Sequence, residues 1–228
     1  MCGRFSLSVN KVEMSKYLEE FYDIEKYPDS IELPRYNVAP GQNVLSVIYY
    51  ENKYHAGLLK WGFVPSFAKN ESIGNRMINA KAETLTEKRA FINSFKHRRC
   101  VVLADGFFEW HREGKKKTPY RIAHKEKAIF PMAGLWSTYT KPDGTKMYSC
   151  TIITTSANKT VEKIHDRMPV ILSEEMRKIW LDPEMTDLRM LTNLLVPTDD
   201  EALYYYEVSS TVNNAANDLP ECIEAIDA

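Results

Sequence analysis

Cysteine, long apolar runs and low-complexity sequence are all scarce in this chain. Four cysteines in 228 residues, at 2, 100, 150 and 222, are too few and too scattered for a disulfide-built miniprotein. None has a second cysteine at the short spacing of a zinc ligand pair. No structural metal is expected, and in a reducing compartment all four are thiols. Apolar runs such as residues 100–104 and 170–172 fall far short of the ~20 residues a membrane span needs. The first residues, MCGRFSLSVNKVEMSKYLEE, put charges where a signal peptide needs its apolar stretch. A cytoplasmic protein is expected. Nine glycines and eleven prolines build no repeat and no Gly/Ser-rich linker, which favours one domain.

What is present suits a packed core: 44% of residues are hydrophobic and 27% charged, ordinary proportions for a folded domain. The net charge of -1 hides an asymmetry. Residues 187–228 hold nine acidic residues and one basic, whereas the preceding 186 hold 29 basic and 22 acidic. The basic body contains Lys96-His97-Arg98-Arg99 and Lys115-Lys116-Lys117. Such runs meet phosphate by long-range attraction or simply solvate a surface.

Asn10 with Glu13 resembles a capping box opening a helix to Tyr22, with Val12, Leu18 and Phe21 as its buried stripe. PRYNVAPG at 34–41 reads as a rigid loop. Residues 44–50 and 54–60 read as a hairpin around Glu51-Asn52-Lys53. Further strands are expected at 100–104, 107–111, 120–123, 129–135, 147–154 and 169–172, and helices near 84–95, 173–180 and 187–194. The pattern predicts an α+β protein, a single domain with a mainly antiparallel, barrel-like β-sheet flanked by helices. Residues 1–212 form the catalytic and DNA-binding unit in this reading, and 213–228 a loosely held acidic tail.

Four residues invite chemistry. Removal of Met1 before a small second residue would leave Cys2 with a free α-amine, so that one residue offers two nucleophiles. An α-amine, with a pKa near 7.8 against about 10.4 for lysine, is unprotonated roughly 400-fold more often at neutral pH. Once its imine forms with an aldehyde, the thiol of the same residue can close a five-membered thiazolidine. The same residue suits acyl transfer, with the amine as base, and an incidental cysteine explains the dipeptide equally. His165, in IHDRMP, can exchange protons near neutral pH, although a lone histidine is commonly structural. Glu109 lies among aromatics in FFEW; facing inward it becomes a proton carrier with a raised pKa, facing water it reflects strand alternation. Asn79, in INAKAE, suits either substrate orientation or the capping of a turn.

MCGRF at 1–5, PRYNVAPG, LLKWGFVPSFAK at 58–69, INAKAET at 78–84, LADGFFEW at 103–110 and IHDRMP at 164–169 together resemble the successive signatures of the SRAP family, the SOS-response-associated peptidases understood as abasic-site processing proteins. The likeness runs from Cys2 to about Asn213. It implies that Cys2 bonds covalently to the ring-opened sugar of an abasic site in single-stranded DNA, a lyase-type reaction, after N-terminal self-processing removes Met1. By the same resemblance Asn79 positions the sugar, Glu109 shuttles protons, and His165 assists imine chemistry and crosslink reversal. Arg4 and Arg167 are implied phosphate ligands, and Pro40, Phe67 and Trp110 shape the DNA channel. Two departures stand out. Lys81 sits where many relatives carry arginine, which loses the fork geometry, and Phe67 replaces a tryptophan, which removes an indole donor. The implied partner is single-stranded DNA containing abasic sites, bound by a monomer that needs no metal, small-molecule cofactor or membrane. Competing readings are an N-terminal-nucleophile amidohydrolase or glutaminase, since class II glutamine amidotransferases also begin Met-Cys-Gly, and a noncatalytic single-stranded DNA-binding module.

Overall fold

Strand propensity and capping chemistry account for most of the architecture in the computed structural model, which describes residues 2–226. Twelve strands follow in chain order: β1 (Phe5–Leu7), β2 (Arg35–Val38), β3 (Asn43–Tyr50), β4 (Lys53–Trp61), β5 (Asn79–Lys81), β6 (Arg99–Ala104), β7 (Gly106–Glu113), β8 (Lys116–His124), β9 (Phe130–Thr140), β10 (Lys146–Ser156), β11 (Arg167–Pro169) and β12 (Leu203–Glu207). The helices are α1 (Lys11–Tyr22), α2 (Ile92–His97), α3 (Lys159–Glu162), α4 (Glu174–Leu181) and α5 (Leu188–Asn193).

Strands β4, β3, β6, β9 and β10 close on themselves, because β10 pairs antiparallel with β9 and parallel with β4 (Ser149 with Lys60, Cys150 with Trp61). A second, wholly antiparallel sheet runs β12-β8-β7-β1-β2. The chain is therefore α+β, with a closed barrel-like sheet, a second sheet and a few helices. The period of two along β6 serves two cores at once. Val101 and Leu103 join Met14, Leu18, Phe95 and Trp180 under the helices, while Cys100, Val102 and Ala104 join Cys2, Phe5, Trp61 and Phe107 toward the second sheet. Among the described residues no helix is long and apolar enough to cross a membrane.

The capping box forms as expected: the Asn10 side chain accepts from Val12 N and Glu13 N, and Glu13 accepts from Asn10 N at 2.8 Å. Its helix, however, is rotated from the expected face. The buried residues are Met14, Leu18 and Tyr22, and Val12 is 64% exposed. The i, i+4, i+8 stripe prevails because Tyr22 slides beneath the Arg177 guanidinium, 4.3 Å from its ring centroid. The helix expected over 84–95 is likewise corrected. A 3-10 turn (Ala82–Thr84) and α2 stand there instead. Leu85 and Phe91 are both drawn into the core, and on a continuous helix residues six apart point about 240° apart. PRYNVAPG is only partly loop, since its centre is β2.

The short strand that carries the N-terminal segment is fixed by a buried polar cluster. The Asp105 carboxylate accepts from Ser6 Oγ (2.6 Å), Ser8 N (2.6 Å) and Arg121 Nη2 (2.9 Å). Gly106 leaves room for this: a Cβ there would meet the Arg121 guanidinium at 2.7 Å. Asp105→Ala would leave Arg121 charged and buried, so we expect a loss on the order of 3–5 kcal/mol, measured by denaturant unfolding; a loss below about 1 kcal/mol would show that the cluster does not hold β1.

The acidic C-terminal segment, expected to hang loosely, is fastened to the body. Asp218 accepts from Tyr36 N (2.6 Å) and Asn37 N (2.9 Å) and pairs with Arg35, and Cys222 is fully buried against Phe108, Val208 and Val212. Buried Asn37 donates to the carbonyls of Asn214 and Asn217 at 3.1 and 2.6 Å. The Asp218 carboxylate satisfies two backbone N–H groups of β2, and the Asn37 side-chain amide satisfies two carbonyls of this segment, which composition alone does not reveal.

Candidate active site

Cys2 is fully buried in the second core, in contact with the layer that holds Phe5 and Trp61, whose rings lie 5.2 Å apart. Trp61 Nε1 donates to Ile78 O at 2.8 Å, which seats the start of β5 beside the N-terminal segment. The next residue, Asn79, donates from Nδ2 to the Cys2 carbonyl at 2.7 Å. Its Oδ1 is buried and unpartnered among the described residues. An unfilled acceptor of this kind costs about 1–3 kcal/mol, a cost that a ligand donor would relieve.

Glu109 follows from the alternation of β7. Phe107 faces the core that contains Cys2, and Glu109, two residues on, shares that face. The side chain is 3% exposed. Burial pushes its carboxyl up to about 7. Burial also holds the Cys2 thiol well above its ordinary range, with the charge of Glu109 adding to the effect. The imidazole of His165 completes the group: its Nε2 is 3.9 Å from Glu109 Oε2. The N–H of Arg167 lies 3.0 Å from His165 Nδ1, and the Asp166 carboxylate lies 2.9 Å from the same nitrogen, so Nε2 is the ring nitrogen turned toward Glu109. Burial lowers the proton affinity of His165.

Glu109 and His165 open onto a cleft of ≈ 430 Å³ whose other walls are Trp110, Arg112, Lys117 and Asn213. Trp110 is fixed by a 2.6 Å bond from Nε1 to Asn213 Oδ1, and the Arg4 guanidinium lies 5.9 Å from its ring centroid. Half-buried Arg4 donates to Asn37 Oδ1 (2.7 Å) and Val212 O (2.6 Å). Lys81 is exposed at the end of β5, and Arg167 makes a two-bond pair with Glu83 at 2.6 and 2.9 Å while donating to Thr154 O at 2.6 Å. Glu83 lies between these two cations, and its pKa is lowered chiefly by Arg167.

Not every expected residue converges. Pro40 is exposed in the turn before β3, and Phe67, 56% exposed, lines a separate groove of ≈ 320 Å³ with Arg89 5.1 Å from its ring centroid. Sequence reasoning missed Asn37, Asp105, Arg121 and Asp218, which hold the site from behind, and Asn213 and Arg112 at its rim. The Lys115-Lys117 run was the one signal that pointed to the rim. Among the described residues no group of three or more His, Cys, Asp or Glu is placed to hold a metal ion.

A closed barrel backed by a second sheet, with the carbonyl of Cys2 held by the Asn79 amide and a buried carboxyl poised near neutrality beside an imidazole, defines a class of proteins with its polar cluster built around the start of the chain. The family model for SOS response associated peptidase (SRAP) matches residues 1–215, and the chain belongs to that family. It is 45% identical over 226 residues to the abasic site processing protein YoqW of Bacillus subtilis, covering 99% of this chain and 100% of that one. The abasic site processing protein HMCES of Xenopus tropicalis is 36% identical over 90% of this chain and 68% of its own. A crystal structure of a protein from Bacteroides thetaiotaomicron superposes with a TM-score of 0.88 at 27% identity, over 99% of this chain and 100% of the other.

Proposed function

We propose that this protein processes abasic sites by trapping the ring-opened sugar on Cys2 as a thiazolidine DNA–protein crosslink. The observation that supports this most is the convergence on one residue: Asn79 bonds the Cys2 carbonyl at 2.7 Å, and the nearby Glu109 carboxyl is pushed up to about 7 with His165 behind it. Loss of Met1 by self-processing frees the α-amine, which attacks the aldehyde carbon. The carbinolamine loses water to give the imine. The thiol sulfur then adds to the imine carbon and its proton passes to nitrogen, so the steps from amine attack to ring closure release one water and need no oxidant or cofactor, the earlier removal of Met1 being a hydrolysis that consumes one. Glu109, half protonated near neutrality, supplies the proton for ring opening and dehydration and accepts the one released by the thiol. The unfilled Asn79 Oδ1 takes a sugar hydroxyl. Ring closure removes the iminium electron sink, which protects the strand from β-elimination at the 3′ phosphate.

The DNA is single-stranded and bound by a monomer. Arg4, Lys81 and Arg167 meet backbone phosphates, Arg167 being held in orientation by Glu83, while Pro40, Phe67 and Trp110 stack or wedge the bases. Residues 1–212 carry catalysis and DNA binding, and the acidic segment braces them. Incubation with single-stranded DNA holding one abasic site should give a denaturation-resistant adduct whose intact mass equals the Met1-less protein plus DNA less one water. Ammonia release from glutamine without such an adduct would favour the hydrolase instead.

For His165→Ala we expect the adduct to form, with transfer to competing abasic DNA slowed by about tenfold or more, since positioned proton transfer contributes that much and beyond. Unchanged release would remove the histidine from reversal.

A further inference from the structure

The hairpin of β7 and β8 breaks a local rule of sheet chemistry. Arg112 stands directly opposite Lys117 in the antiparallel register. Like charges in that relation repel, and natural hairpins avoid them or supply an acid. The next rung does so, with Glu113 opposite Lys116. Among the described residues neither Arg112 nor Lys117 has a carboxylate within 4 Å. Both line the cleft that holds Glu109 and His165, next to the anchored face of Trp110.

We propose that Arg112 and Lys117 form a subsite for one backbone phosphodiester of the damaged strand, beside the abasic nucleotide. This rests on the trapping reaction above. A single anion between the two cations turns their repulsion into attraction. The arginine fork supplies paired donors and the lysine a point charge. The hairpin is a firm platform for this: seven consecutive residue pairs join its strands, Thr118 and Pro119 next to the Arg112–Lys117 rung are buried, and Gly114 takes the positive φ of 59° required at its tip. A phosphate held there fixes the sugar's approach to Cys2 and accounts for a basic run that the covalent chemistry leaves unused.

The test compares wild type with Arg112→Gln/Lys117→Gln on oligonucleotides in which single phosphates flanking the lesion are replaced by uncharged methylphosphonates. Both residues are exposed, and far-UV circular dichroism checks that the variant folds. On ordinary DNA at low salt the variant should crosslink about tenfold more slowly, with a salt slope shallower by about one. One methylphosphonate position should slow wild type by a similar factor and leave the variant unchanged within about twofold. If the variant matches wild type on ordinary DNA, or if every methylphosphonate slows both proteins equally, the subsite is refuted while the trapping reaction stands. If wild type forms no adduct at all, the trapping reaction falls and the subsite with it.

Discussion

Cys2→Ala, matured to expose its new N-terminus, should form no denaturation-resistant adduct with abasic single-stranded DNA, a drop of at least about 100-fold on a denaturing gel. The substitution is informative because alanine keeps the α-amine. Imine formation therefore survives, and what disappears is the sulfur that closes the ring. The strand should then suffer what the thiol normally prevents: elimination at the 3′ phosphate, seen as cleavage, with the transient imine captured by borohydride. Cys2 is packed at full burial, but trading a thiol for a methyl removes little volume, so the fold should persist with a modest cost. An undiminished heat-stable adduct in this variant would end the assignment to Cys2.

Glu109→Gln should slow adduct formation by about 10² to 10⁴, the range typical of a positioned proton carrier. Its signature lies in pH. An α-amine with a pKa near 7.8 makes the wild-type rate climb as it deprotonates, and a carboxyl at about 7 makes the rate fall as its proton is lost, so the profile is a bell centred near neutrality. Glutamine should abolish the alkaline fall. Stability gives a second readout. The native state keeps a proton on Glu109 that the unfolded chain gives up near pH 4.3, so this stabilisation is complete below about 4.3 and lost as pH rises through about 7. By pH 8 the buried carboxylate costs on the order of 3 kcal/mol, which the glutamine variant does not suffer, and its melting temperature should exceed that of wild type by roughly 5–10 °C there. Equal melting temperatures at pH 8 would show that burial does not raise the carboxyl as described above.

The parts of this molecule legible in its sequence are those where local chemistry decides. The Asn10–Glu13 box starts α1, and the β3–β4 hairpin turns at Glu51 and Asn52 with positive φ at both, whereas the sequence leaves Glu109 facing either way and the structure buries it. The misreadings arise where distant packing overrides a local pattern. Val12 suits a buried stripe but yields to Met14 and Tyr22 because Arg177 covers the tyrosine. The tyrosine-rich β12 is absent from the strands expected above, yet it completes the second sheet by pairing along β8. Of the site, the four candidate residues sit in short motifs, whereas the side chains of Asp105 and Asn37 reach partners as far as 99 and 180 positions away, separations no short motif encodes.

Strand β10 is the spindle of the molecule. One of its edges pairs with β4 and then β5, the other with β9 and then β11. Asn79, Lys81 and Arg167 thus take their places from a single ruler, through Ile152, Thr154 and Ser156. One residue inserted near its middle would shift the register from which all three take their places, whereas the turn at Lys141–Thr145 absorbs added length freely. Redesign for a different lesion therefore has freedom in the loops and almost none along this strand.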